Sequence, residues 1–373
     1  MEHLSQIPSL VLSNLIFIVI LCGLTYRSLY TKKSSHAKNI LVIFMCFAFC
    51  LFSFWGADWF GYQSYFEMAN SRHSYNVPME VPYIWLMSDV CNTYLEFRSI
   101  VWGCSLILFI FTLKNLRLDI GLSLFFFCSI YLIYFSYARV TLAISMMFYG
   151  YSCIWSCKNK SNVFKIIWGI SWIILSFYFH KSAILGIMTI FIAISIYNMG
   201  KGALIMSIIA FPIIILLMDV FWQEYFPIIT MDEGTLSEYA NTGAVHLDSV
   251  NTQIGISTIT NRILERTPYY LLAYASFMEL YKPSIAHPDN IRAFFIVEFL
   301  TVVFASIFIF DFGINTSTLY GRFLRFAQIP SVIVLAYMYR ASIETKTVKW
   351  ACCIGLLNCA YNLLYSYYNT FTI

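Results

Sequence analysis

Apolar runs of about twenty residues follow one another along this chain of 373 residues, and that repetition restricts the fold more than any single motif does. A run of that length crosses the roughly 30 Å hydrocarbon layer as a helix. Lipid offers no water to backbone N–H and C=O groups, so a spanning segment must be a helix or part of a closed barrel. The runs are unbroken rather than alternating, which selects helices. Composition agrees, since 60% of residues are hydrophobic and 11% charged, more apolar surface than a soluble core consumes. The expected fold class is all-α, a polytopic integral membrane protein with about 12 transmembrane helices. The spans are placed at 8–26, 40–57, 99–114, 120–137, 140–157, 164–180, 182–198, 203–221, 267–281, 292–310, 326–340 and 350–368. Residues 1–373 read as one transmembrane domain with two longer polar loops, 58–98 and 222–266. The first run starts near Pro8 without a basic flank and reads as a retained span.

Charge distribution sets the orientation. With alternating spans, fifteen of the 23 basic residues fall on one side: Arg27, Lys32, Lys33, Lys38, Lys114, Arg117, Lys158, Lys160, Lys165, Lys201, Lys282, Arg292, Arg340, Lys346 and Lys349. The positive-inside rule makes that side cytoplasmic and puts both long loops outside. The other eight are Arg72, Arg98, Arg139, Lys181, Arg262, Arg266, Arg322 and Arg325. Seven of these are arginine, while eleven of the inner fifteen are lysine. Lysine suffices for topology, whereas arginine is the better bidentate ligand for phosphate or carboxylate. Arg139, Lys181, Arg266 and the Arg322/Arg325 pair also fall near helix N-termini that face outward, where free N–H groups already favour an anion. The outer face is therefore expected to carry an anion site. The alternative for each arginine alone is snorkelling to lipid headgroups.

Other residues suit chemistry at the same mouth. "GADWFGYQSYF" places Asp58, Tyr62 and Tyr65 just after the second span. Asp58 is a candidate base or arginine partner, with helix capping as the alternative. "MEVPY" brings Glu80 and Tyr83, and "FYFHKSA" sets His180 beside Lys181. Glu298 lies inside a span, where a carboxylate is either functional or paired with a neighbour. The 222–266 loop mixes carboxylates (Glu224, Asp232, Glu233, Glu238, Asp248, Glu265) with Trp222 and Tyr239, a mixture that suits carbohydrate and equally a solvated loop. The 11 cysteines nearly all sit in apolar runs, with only Cys91 in a polar loop. That excludes a disulfide framework and a metal-ligand spacing. No P-loop, GxGxxG or DxD motif appears, so neither a nucleotide nor a metal-bound nucleotide-sugar is indicated, and nothing calls for nucleic acid.

The order of motifs resembles the EpsG/Wzy-type polysaccharide polymerases of bacteria. It runs through "GADWFGYQSYF" (Asp58, Tyr62), "MEVPYIWL" (Glu80, Tyr83), "ARVTLAIS" (Arg139), "FYFHKSAILGI" (His180, Ser182) and "YGRFLRF" (Arg322), from about residue 40 to 340. Two features depart from that pattern: no arginine precedes Asp58 in "LFSFWGAD", and Val140 stands where a glutamine often follows the arginine. The resemblance implies an inner-membrane enzyme that polymerises undecaprenyl-pyrophosphate-linked oligosaccharide repeat units on the periplasmic face, without cofactor or metal. Its implied partners are that lipid-linked glycan, the bilayer and a chain-length-regulating membrane protein. Arg139, Arg262, Arg266, Arg322 and Arg325 would grip the pyrophosphate. Asp58 or His180 would take the acceptor proton, and Tyr62, Glu80 and Tyr83 would meet the glycan. A flippase or transporter, or a ligase-like transferase, would share the same anion site.

Overall fold

The computed structural model describes residues 57–70, 77, 79–130, 138–156, 163–200, 256–307, 321, 323–343 and 345–371, with a few positions between 202 and 213. All regular structure among them is helical: α1 Ala57–Asn70, α2 Val81–Trp85 continuing as a π-helical turn over Leu86–Val90, α3 Tyr94–Asn115, α4 Ile120–Ile130, α5 Ala138–Trp155, α6 Val163–Phe179, α7 Ala183–Met199, α8 Ile256–Tyr281, α9 Asp289–Ile307, α10 Gln328–Ala341 and α11 Thr345–Phe371. The all-α expectation holds. Among the described residues one helix, α3, is both long and apolar enough by composition to cross a membrane, with a mean hydropathy of 1.6 over its best window. Helices α6 and α7 are apolar over 17 residues each.

Boundaries differ from the sequence expectation in two instructive places. Within the stretch 58–98, placed as a polar loop, the described residues form helices α1, α2 and the start of α3, and Cys91 is buried. Likewise α8 begins at Ile256, eleven positions before the expected span, so the end of the 222–266 loop is helical. Hydropathy alone misses such helices because their polar residues are spent on caps and on packing at the rim. Thr93 shows how: its hydroxyl accepts from the Glu96 amide at 3.2 Å while the Glu96 carboxylate accepts from the Thr93 and Asn92 amides at 3.3 and 2.7 Å. This reciprocal cap fixes where α3 starts.

Contacts between helix ends establish an alternating bundle. Asn115 at the end of α3 donates to Ser152 near the end of α5 at 3.0 Å. Trp155 of α5 and Tyr197 of α7 have ring centroids 4.4 Å apart. Tyr197 in turn hydrogen-bonds Asp289 at the start of α9, and His287, just before α9, meets Tyr337 near the end of α10 at 3.2 Å. The C-terminal ends of α3, α5, α7 and α10 therefore gather with the N-terminal end of α9. Lys114, Arg117, Lys282, Arg292 and Arg340 lie at this end. It follows that the first turns of α5 and α7 and the last turn of α9 share the opposite end. These five basic residues, grouped on one side in the sequence reading, thus share one end of the bundle.

Close packing makes the bundle possible. A Cβ on Gly150 of α5 would lie 2.4 Å from the Gly169 carbonyl oxygen of α6, and one on Gly169 would lie 2.6 Å from the Gly150 carbonyl oxygen. Paired glycines let two backbones touch where lipid gives no hydrophobic push. A continuous apolar core runs through α5, α9 and α10, including Phe148, Tyr151, Phe294, Leu300 and Ile333. Inside it Glu298 is fully buried and accepts a 2.6 Å hydrogen bond from Ser331, so this carboxyl does pair with a neighbour. Among the described residues its second oxygen is buried without a hydrogen-bond partner.

Candidate functional site

The site is built where α2, α5, α1 and the α6–α7 turn meet. Glu80 occupies the N-cap position of α2 in an extended conformation, and Val81 and Pro82 form the first helical positions. Glutamate is a poor cap, and its side chain makes no capping bond. Instead it reaches into the bundle. One carboxylate oxygen accepts from Arg139 Nη1 at 3.1 Å and the other meets His180 Nδ1 at 2.7 Å. Arg139 stands in the described first turn of α5, and His180 closes α6, its amide donating to the Ser176 carbonyl at 3.0 Å. Three segments separated by 59 and 100 residues are tied through one carboxylate.

Two tyrosines set the arginine. Arg139 Nε donates to the Tyr62 hydroxyl at 3.1 Å, with the guanidinium carbon 5.3 Å from the ring centre. The fully buried Tyr83 donates to the Arg139 backbone carbonyl at 3.0 Å. Its ring packs edge-on against Phe179 of α6 and Phe97 of α3, at 5.6 and 6.3 Å. Burial, then the Glu80 charge, pushes the Tyr83 phenol well above its ordinary value, so it remains a neutral donor.

Protonation follows from the same contacts. Burial alone would raise the Glu80 carboxyl, but the His180 hydrogen bond and the Arg139 guanidinium outweigh it and hold Glu80 below the usual carboxylate value. An ionised Glu80 only accepts, so the His180 nitrogen facing it carries a proton. A neutral His180 then presents its Nε2 lone pair away from Glu80. The side chains of Glu80, His180 and Arg139 are 13%, 15% and 18% exposed, shielded yet reachable. The arrangement can hold an anion at Arg139 and accept a proton at His180.

The sequence-derived set divides accordingly. Arg139, His180, Tyr62, Glu80 and Tyr83 come together. Glu80, named from sequence as a glycan-facing residue, anchors the arginine and histidine. That role was legible in "MEVPY", where a glutamate, a side chain that caps poorly, stands just before a helix with proline in its first turn. Arg266 on α8 and Arg325 just before α10 stand at the same end of the bundle, and Arg325 acts electrostatically on Tyr269. Lys181 is exposed beside His180. Asp58 and Arg262 lie on the described backbones of α1 and α8, but their side chains, all of Arg322 and the loop carboxylates from Glu224 to Asp248 are outside the described residues. Val140, which stands where the resembled pattern often has a glutamine, is buried in the core.

Sequence reasoning missed a second polar cluster, at the opposite end. Glu279 and His287 pair at 2.8 Å, Ser284 donates to Glu279 from its amide and hydroxyl, and Tyr337 meets the other His287 nitrogen. This clasps the turn between α8 and α9. Among the described residues no group of three or more His, Cys, Asp or Glu gathers as metal ligands.

No curated protein and no solved structure matches the chain. The family model described as the EpsG family matches residues 37–372, nearly the full length and every residue of the cluster above; the chain belongs to the EpsG family.

Proposed function

We propose that this protein is a membrane polysaccharide polymerase that transfers a growing glycan from its undecaprenyl pyrophosphate carrier onto the next lipid-linked repeat unit. In this reading it is a twelve-span inner-membrane protein, and the end bearing Arg139 and His180 faces the periplasm. The observation that carries the proposal is the Arg139–Glu80–His180 cluster, a cation for the leaving group and an oriented base held by one carboxylate. Family membership supports the same class of activity.

The reaction assigns one role to each group. His180 Nε2 takes the proton of the acceptor hydroxyl as its oxygen bonds to the anomeric carbon. The bond from that carbon to the pyrophosphate oxygen breaks, and lipid pyrophosphate leaves with the electron pair. Arg139, with Lys181, Arg266, Arg325, Arg262 and Arg322 supplying further charge, stabilises the charge that builds on the leaving group. A single displacement inverts the anomeric centre. Tyr62 and Tyr83 hold the arginine, and Asp58 is the other candidate base.

The test is extension of purified lipid-linked repeat units by the purified protein. A glycan ladder that disappears in Arg139→Ala and His180→Ala, both still folded, supports the proposal. An unchanged ladder in folded Arg139→Ala overturns the assignment of the site. Movement of the lipid across vesicles without bond formation identifies a transporter, and transfer to a lipid core without elongation identifies a ligase.

A further inference from the structure

Helices α8 and α9 run antiparallel and leave a furrow of about 410 Å³ between them. Tyr270, Tyr274, Phe277, Phe299, Val303 and Ser306 line it. Ala273 and Val302 are its buried lining residues, and the Phe277 and Phe299 rings pack within it with centroids 5.1 Å apart. From Tyr270 to Phe277 it follows α8 for about 10 Å. One end is polar: the Tyr270 and Ser306 hydroxyls are hydrogen-bonded at 3.1 Å. Arg266 stands one turn beyond Tyr270 on the same helix face. That polar end is the end of the bundle that carries Arg139 and His180.

Concavity and a polar end with an arginine one turn away mark this furrow. The exposed side of α6 carries rings too, Phe164, Trp168, Phe177 and Tyr178, among aliphatic side chains such as Ile167 and Ile174. Any hydrocarbon tail can lie against such a face. A furrow whose polar end lies one helical turn from an arginine suits a chain with an anionic head. Flat rings such as Tyr274, 58% exposed, suit planar, methyl-branched isoprene units better than a freely rotating saturated chain. A slot between two neighbouring helices also takes one chain, whereas a phospholipid brings two.

We propose that the furrow between α8 and α9 seats the polyisoprenoid chain of a lipid phosphate, with the phosphate held at Arg266. This rests on the proposed function and locates where its lipid carrier docks. The head then lies at the same end as the Arg139 cluster, and the rest of the chain continues from the open side of the furrow into the bilayer.

The experiment compares undecaprenyl phosphate with geranyl phosphate on the full-length protein in phosphatidylcholine nanodiscs, by equilibrium binding. The wild type is expected to bind the long-chain phosphate at least tenfold tighter. Val303→Trp, which fills the slot, is expected to remove most of that preference. Tyr274→Ser, an exposed change that leaves the core untouched, is expected to weaken it severalfold and covers the case in which the tryptophan variant misfolds. A preference that persists in both folded variants identifies annular lipid only and overturns the proposal, as does equal competition by phosphatidylglycerol. The readout is separable from the enzymatic reading: loss of the preference with an unchanged ladder in Arg139→Ala keeps the furrow and sinks the polymerase site. The converse keeps the polymerase site and sinks the furrow.

Discussion

Glu80→Gln is the most informative single change in this protein, because the site requires two acceptors from one side chain. Arg139 Nη1 and His180 Nδ1 both point donors at Glu80, at 3.1 and 2.7 Å. Glutamine has the same shape but one oxygen. If that oxygen faces Arg139, its NH2 group confronts the histidine, and Nδ1 must give up its proton to accept. The proton then sits on Nε2, and the lone pair aimed at the acceptor hydroxyl is gone. If the oxygen faces His180, the NH2 group confronts a guanidinium. Hydrogen bonds to charged groups are worth about 1.5–3 kcal/mol each, so one such loss is expected in stability. The catalytic loss is larger. A placed general base contributes about a hundred- to ten-thousandfold, or about 2.7–5.5 kcal/mol of barrier. The expected result is a folded protein whose initial rate of chain extension, measured on purified lipid-linked repeat units, falls by at least about a hundredfold. Glu80→Asp shortens the reach by one methylene and is expected to fall between. Full activity in a folded Glu80→Gln would show that neither the tautomer of His180 nor the pose of Arg139 matters, and would refute the reasoning.

Three further outcomes follow from other contacts. Because Glu80 titrates below the ordinary carboxylate value of 4.5 in the folded protein, its contribution is present in full above that value and lost as pH falls through the lower one. The difference in thermal midpoint between wild type and Glu80→Gln is therefore expected at neutral pH and closes on acidification. Gly169→Val drives a side chain into the Gly150 carbonyl, where even a Cβ would be at 2.6 Å, and is expected to cost about 1–3 kcal/mol by forcing α5 and α6 apart, read as a lowered midpoint. Glu279→Ala removes the acceptor of the His287 and Ser284 hydrogen bonds at the opposite end of the bundle. About 1–3 kcal/mol of destabilisation is expected from the buried groups left unsatisfied, while the preference for long-chain phosphate remains.

How much of this was legible in the sequence depends on how local each signal is. The helical class, the segmentation and the alternation of basic residues are all carried by runs of neighbouring residues, and α5, α6, α7, α9 and α10 begin and end within a few positions of expectation. Arg139 and His180 were recoverable because each sits at an apolar-to-polar corner that hydropathy marks. The partner of both was not. Glu80 joins them across 59 and 100 residues, and sequence separation says nothing of which corner meets which. The polar network of Glu279, Ser284 and His287 was missed for a related reason. Its residues are near one another in sequence, but their chemistry appears only when Tyr337 arrives from α10.

The presence of Glu80 also changes the physics of the proposed anion site. Guanidinium groups alone would bind a diphosphate strongly before reaction, and uniform binding does not raise the chemical rate. Arg139 beside an ionised carboxylate is close to locally neutral, so it attracts a resting diphosphate weakly. Its held donors gain most where negative charge grows, on the oxygen leaving the anomeric carbon, because that charge is new in the transition state. Bulk attraction of the lipid phosphate then falls to the other cations of that end: Lys181 beside His180, and Arg266 and Arg325 on other helices. On this division of labour Arg266→Ala raises KM with kcat largely kept, whereas Arg139→Lys, which retains charge but loses the Nε bond to Tyr62, lowers kcat with little change in KM. The opposite assignment of the two effects would mean that charge, and not its orientation, is what Arg139 supplies.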